Sequence, residues 1–235
     1  MNLVTKSVLG ILAALGLATA SQAAVIDLTF EGVNATYPSG AASIGEFYNG
    51  GTTSDGTSGA NYGISFSSNA LAICLNSGSV TYYNTSRGGL GDPNSQTGAL
   101  FFLDGSQTFM NVAAGFDTGF SFNYTAPNLG GSVSVYDGDN GTGNLLATLV
   151  LGLTTSACDP SYSAGFCPFV STGLAFAGLA KSVSFAGVAN QIVFDDVTFG
   201  SATPGPSPVQ VPAGLPPLAV GLGALALVRR KARKG

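Results

Sequence analysis

The chain has 235 residues, of which 34 are glycine, only 9% are charged, and none is histidine or tryptophan. Without histidine, every Ser-His, Cys-His or His-metal catalytic arrangement is excluded. Between residues 24 and 208, Arg87 and Lys181 face all twelve carboxylates. That net charge of −10 repels nucleic acid and anionic lipid, so no nucleic-acid partner is expected.

Met1 to Ala23 reads as a secretory signal peptide. Lys6 supplies the positive start, Val8 to Ala18 the short apolar run, and Ser21-Gln22-Ala23 a small-x-small cleavage site. Cleavage is expected between Ala23 and Ala24. The alternative, an uncleaved N-terminal anchor, needs a longer apolar run.

From Val25 the pattern has period two. Val25 to Glu31 reads as a strand ended by Gly32, and Asn34 to Ala60 as a turn-rich stretch. Strands are then expected over Asn61–Ser67, Leu71–Leu75, Val80–Tyr83, Ala99–Leu103 and Thr108–Val112. Gly119 to Tyr124 places aromatics on one face and polar residues on the other. Ser132–Asp137 and Leu145–Leu151 flank a Gly/Asp/Asn turn and make a hairpin. Phe169–Phe176, Ser182–Phe185 and Gln191–Phe199 complete the set. About a dozen short strands, no credible helix and no long repeat imply an all-β domain over residues 24–200. The expected form is an antiparallel β-sandwich, jelly-roll-like.

Two stretches raise metal chemistry. In the closing strand, Ile192 and Phe194 share a face, as do Val197 and Phe199, but the two pairs are out of phase. An extra residue at Asp195-Asp196, a β-bulge, would return both pairs to the core and turn one carboxylate sideways. Glu31 with one of these aspartates would neutralise a calcium ion, backbone carbonyls filling its shell. The alternative is a pair of solvated acids at a strand end. Asp137-Gly138-Asp139-Asn140-Gly141 lacks the ligands of an EF-hand loop, with Thr148 where the last glutamate belongs, and reads as a turn.

Cys158 and Cys167 lie nine apart in a Pro- and Gly-bearing loop of an exported chain, where a disulfide is expected to contribute roughly 2–3 kcal/mol. Cys74, inside an apolar strand, reads as a small buried residue, or else as a reactive thiol.

After Phe199 the composition shifts to a Pro/Gly/Ser linker at 201–208. Residues 209–235 then have three parts: Val-Gln-Val-Pro-Ala-Gly-Leu-Pro (209–216), an apolar run to Val228, and a basic cluster of Arg229, Arg230, Lys231, Arg233 and Lys234. Residues 215–228 fall short of the about 20 needed to cross a bilayer, and prolines interrupt the longer count. The segment is a marginal span whose basic end stays in the cytoplasm. Through Val209, Pro212, Ala213, Gly214, Leu215 and Pro216 the tail resembles a PEP-CTERM-type sorting signal of the V-P-L-P-A variant, with Gln210 and Val211 as departures. The resemblance implies recognition by an exosortase-type membrane protease and transient residence of the C-terminal hydrophobic sorting helix in the inner membrane. It also implies display on the outer surface, or in the extracellular matrix, of a Gram-negative bacterium that makes exopolysaccharide. An ordinary membrane anchor is the alternative.

The body resembles the domains that precede such tails. The stretches that carry this are Phe30-Glu31-Gly32, Tyr62 to Phe66, Val135 to Gly143 and Asn190 to Phe199. The first and last look like terminal strands of carbohydrate-binding-type jelly rolls. That resemblance implies a structural calcium shared by Glu31 and an aspartate of Asp195-Asp196. No carboxylate pair is marked as a glycosidase pair, so no enzyme is expected. The function expected is a structural surface protein associated with exopolysaccharide or biofilm. The alternative is a carbohydrate-binding module stacking sugars on Tyr48, Tyr62, Tyr82, Tyr83 or Tyr162.

Overall fold

The computed structural model describes residues 25–34, 40–74, 97–154 and 169–204. Twelve strands run through them: β1 (Ile26–Leu28), β2 (Ala41–Ser43), β3 (Ile64–Phe66), β4 (Leu71–Cys74), β5 (Gly98–Phe101), β6 (Gln107–Phe116), β7 (Gly119–Thr125), β8 (Gly131–Tyr136), β9 (Leu145–Leu151), β10 (Val170–Ala175), β11 (Ala180–Ala186) and β12 (Val193–Phe199). The only helical elements among the described residues are two single 3-10 turns, Phe47–Asn49 and Asp139–Gly141. The expected all-β class is what the structure has.

The strands form two antiparallel sheets. The larger runs β10-β7-β12-β5-β4-β2, with β1 also on β12; the smaller runs β3-β6-β11-β8-β9. Alternation along each strand decides which side chains meet between them. From the larger sheet come Phe120, Phe122, Tyr124, Phe194, Val197 and Phe199; from the smaller, Met110, Val112, Val133, Val135, Val183 and Phe185. Rings from both sheets interlock: Phe185 lies 4.9 Å from Phe194 and 5.9 Å from Phe120, edge against face. Edge-to-face geometry adds about 0.5–1.5 kcal/mol per pair beyond the area buried.

The phase problem in the closing strand is solved as anticipated. Asp195 pairs with Asn123, but the next partner pair is Thr198 with Ser121, so two residues of β12 oppose one of β7. Asp196 takes φ 45° in this bulge, a conformation that aspartate tolerates better than most residues. Ile192, Phe194, Val197 and Phe199 are consequently all in the core.

One strand is longer than expected: β6 extends ten residues, to Phe116, with Gly115 at φ 76°. Within the turn-rich stretch 34–60 the chain also forms β2 and the 3-10 turn Phe47–Asn49. On β7 the polar Ser121, Asn123 and Thr125 are as buried as the aromatics between them. A second, smaller apolar cluster (Ile73, Ala99, Phe101, Val193) lies apart from the main core. Val193 and Asp195 alternate with the core residue Phe194, which puts that cluster on the outer side of the larger sheet.

Candidate functional site

β1 and β5 share one edge of β12. Leu28 pairs with Val197 and Leu100 with Phe194, so Asp195 and Asp196 sit where the two strands meet. The chain leaving β1 crosses the start of β5 so closely that a Cβ at Gly98 would strike the Phe30 carbonyl. Glu31 follows, and its Oε1 accepts hydrogen bonds from the Thr97 amide (2.7 Å) and the Gly98 amide (3.1 Å). The carboxylate thus caps the first amides of β5.

The aspartates lie deeper. Asp195 Oδ1 accepts from the Asp196 amide at 2.8 Å, and Asp196 Oδ2 from Asn123 Nδ2 at 3.0 Å. Asn123 Oδ1 in turn accepts from Ser171 Oγ at 2.6 Å. Thr198 Oγ1 is 3.1 Å from the Asp196 carbonyl and 3.3 Å from Asp27 Oδ1. Asp195, Asp196, Asn123 and Thr198 are all buried, so the aspartates are not solvated acids at a strand end. Among the described residues no three His, Cys, Asp or Glu side chains converge on a position that could hold a metal ion. Glu31, Asp195 and Asp196 are neighbours in the fold, yet they act there as acceptors for protein donors. The residues that sequence reasoning missed are Asn123 and Ser171, whose only signal was their place opposite Asp195 across two strand pairings.

The tyrosines separate into two kinds. Tyr48, in the 3-10 turn, is 6% exposed and packs edge-on against Phe30 and Phe47 at 6.0 and 4.8 Å. Its hydroxyl accepts the Phe30 amide at 3.0 Å. Burial pushes its phenol far above the usual range. The Phe30 N–H opposes that shift, while Asp195, Tyr62 and Asp27 add to it. Tyr48 is a core residue, which overturns its candidacy as a sugar-stacking ring. Tyr62 is the opposite case, 43% exposed, with its ring inclined only 21° to Tyr48 at 6.3 Å. Its amide donates to the Tyr48 carbonyl at 2.8 Å, so the exposed ring is braced on a buried one.

Around Tyr62 stand exposed polar groups from the same cap. Asn49 Nδ2 donates to Glu46 Oε2 at 2.7 Å, and Asn61 Oδ1 accepts the Gly63 amide at 3.0 Å. The Asn61 side chain lies across Gly50, which holds φ 78°: a Cβ there would come within 3.1 Å of Asn61 Nδ2. The result is an exposed ring held against a buried one, in a stretch of chain that also exposes Glu46, Asn49 and Asn61. An exposed, held ring is suited to stacking on the C–H face of a sugar.

The Asp137 turn closes the β8–β9 hairpin, as read from sequence. Asp137 accepts from the Asn144 side chain (2.8 Å) and amide (2.6 Å), which hold its carboxyl below the usual range. Cys74 ends β4 opposite Gly98. Ala23 and Ala24, Tyr82, Tyr83 and Tyr162, Cys158 and Cys167 lie outside the described residues, as do the tail motif and basic cluster. Among the described residues no helix is long and apolar enough to cross a membrane.

No protein-family model matches the chain, and no curated protein matches it. Two solved structures are similar at a distance. One is a family 6 carbohydrate-binding module, 16% identical over 57% of this chain and 85% of that one, with a TM-score of 0.34. The other is the K1 cleaved adhesin domain of Lys-gingipain from Porphyromonas gingivalis W83, 14% identical over 75% of this chain and 98% of that one, with a TM-score of 0.36. Neither likeness is close enough to carry function across.

Proposed function

We propose that this chain is an exported bacterial surface protein whose jelly-roll-like β-sandwich holds glycan of the extracellular matrix and performs no covalent chemistry. Delivery is by an exosortase-type protease acting on residues 209–216 in the inner membrane, a reading supported by the three-part tail. The observation that carries the glycan reading is Tyr62, exposed and braced on the buried Tyr48. A rigid ring loses little conformational entropy on binding, which is why a buried brace matters.

The test uses the mature protein and exopolysaccharide from the producing cells. Retention on the immobilised polymer should fall at least tenfold in Tyr62→Ala with an unchanged melting temperature, and equal retention overturns the site. For delivery, replacing 209–216 with an unrelated apolar sequence should trap full-length protein in the inner membrane. Surface protein that still carries Gly235 defeats the sorting claim.

A further inference from the structure

We propose that the outer face of the five-stranded sheet is a second binding surface, a shallow trough for an extended, uncharged polysaccharide chain. The inference rests on the glycan reading of the body but on residues remote in sequence from Tyr62. Register sets out the face in rows. Strand pairing aligns Phe109, Ser184, Ser134 and Thr148 across β6, β11, β8 and β9. One step along the strands the same pairing aligns Gln107, Ala186, Ser132 and Val150. All alternate with core residues such as Met110, Val133, Val183 and Leu149, so they point away from the core.

Neither row carries a charged side chain, in a body of net charge −10. An anionic polymer would need Lys or Arg here, and a cation would need carboxylates. A neutral polyhydroxyl chain needs what is present. Ser134 Oγ and Thr148 Oγ1 are 3.0 Å apart and share one hydrogen, so the pair keeps a second hydroxyl hydrogen that this bond does not use. Ser184, buried in the floor, donates to Gln107 Oε1 at 3.0 Å, which fixes that exposed amide and leaves its N–H groups as donors. Hydroxyl-bearing residues thus stand side by side on β11, β8 and β9, strands spaced about 4.8 Å apart. Val150, 80% exposed, offers apolar contact within the second row.

One end of the trough has a wall. The 3-10 turn Asp139–Gly141 folds back over the sheet, held by reciprocal bonds between Asn111 and Asn140 (2.9 and 2.7 Å). Ser182 Oγ accepts from the Gly141 amide at 3.0 Å and donates to the Gly138 carbonyl at 2.6 Å. Gly141 lies on the Phe109 ring, where any Cβ would collide. Wall and floor are therefore set before a ligand arrives.

Affinity electrophoresis of the mature protein in gels containing hydroxyethyl cellulose, xylan or glucomannan, with alginate as the anionic comparison, tests this. At least one neutral polymer should retard the protein and alginate should not. Thr148→Glu and Ser132→Glu should each weaken retardation at least tenfold at unchanged melting temperature, with Thr148→Ala as a milder check on folding. Tyr62→Ala should leave part of the retardation in place. If Tyr62→Ala abolishes it and the face variants do not, the second surface falls while the glycan reading stands. The same follows if no neutral polymer retards the protein although native exopolysaccharide retains it through Tyr62. If Thr148→Glu instead halves the sedimenting mass, the face meets a second copy of the chain and the proposal is overturned.

Discussion

The two sheets of the sandwich present outer faces built from the same residue types and put to opposite use. On the larger sheet Ser121, Asn123, Thr125, Asp195 and Thr198 are buried. Asn123 links Ser171 to Asp196, Thr198 bonds the Asp196 carbonyl and Thr125 pairs with Thr154, while Ser121 Oγ is buried without a hydrogen-bond partner among the described residues. The chain after β12 passes over that face, since a Cβ at Gly173 would strike the Ala202 carbonyl. On the smaller sheet Gln107, Thr148 and Val150 are exposed, and the hydroxyls bond in pairs. Alternation of Ser, Thr and Asn with apolar residues therefore says which face points away from the core. It does not say whether that face meets water.

The bulge at Asp196 is where this contrast is easiest to break. Deleting Asp196 should reverse the phase of Val197 and Phe199 and drive them onto the outer face, at a cost of about 3–6 kcal/mol. The expected result is insoluble or unfolded protein; a deletion variant with a native melting curve would remove the bulge from the account. Next in size, Asn123→Ala takes a donor from Asp196 and an acceptor from Ser171 within a buried network, for about 1–3 kcal/mol. Ser134→Ala on the open face should change stability by less than about 0.5 kcal/mol. Equal losses in urea denaturation would mean that the two faces do not differ.

Glu31→Ala should be milder, about 1 kcal/mol or roughly 2–4 °C, because it uncaps two amides near the surface. Melting the wild type and the variant with and without EDTA assigns the cause. The expected loss is the same in both buffers, as for a carboxylate that serves as an acceptor. A chelator-sensitive melting temperature that Glu31→Ala removes would instead establish the calcium site. The smallest effect belongs to the wall turn. Asp137 has its pKa lowered by Asn144, so its contribution is present at neutral pH and lost as pH falls from the ordinary aspartate range through the lowered value. Amide exchange at Asn144 should quicken over that window, and Asp137→Asn should abolish the pH dependence.

Much of this was legible in the sequence, and particular residues show why the rest was not. The bulge was readable because Ile192/Phe194 and Val197/Phe199 cannot share a core without it. The hairpin around Asp137 was readable from its turn residues between two apolar runs. Tyr48 was not, because a single 3-10 turn inside a Gly-rich stretch can aim a ring either way, and only Phe30 and Phe66 beside it decide. For Glu31 and Asp195–Asp196 the sequence is silent on the donors they meet, because carboxylates that hold amides and carboxylates that hold ions have the same sequence. The donors, the Thr97 and Gly98 amides and Asn123, come from distant parts of the chain.

β1 lies on β12, and the contact between Asp27 and Thr198 closes a span of 171 residues. For a chain threaded through an export channel from its N terminus, the first strand emerges long before the partner it needs. Docking of β1 waits for the last strand of the body, so the pairing most distant in sequence is also among the last that can form. The larger sheet thus stays incomplete until nearly all of the body is available. On the export route proposed above, the fold would act as its own timer, completing that sheet only after crossing the membrane.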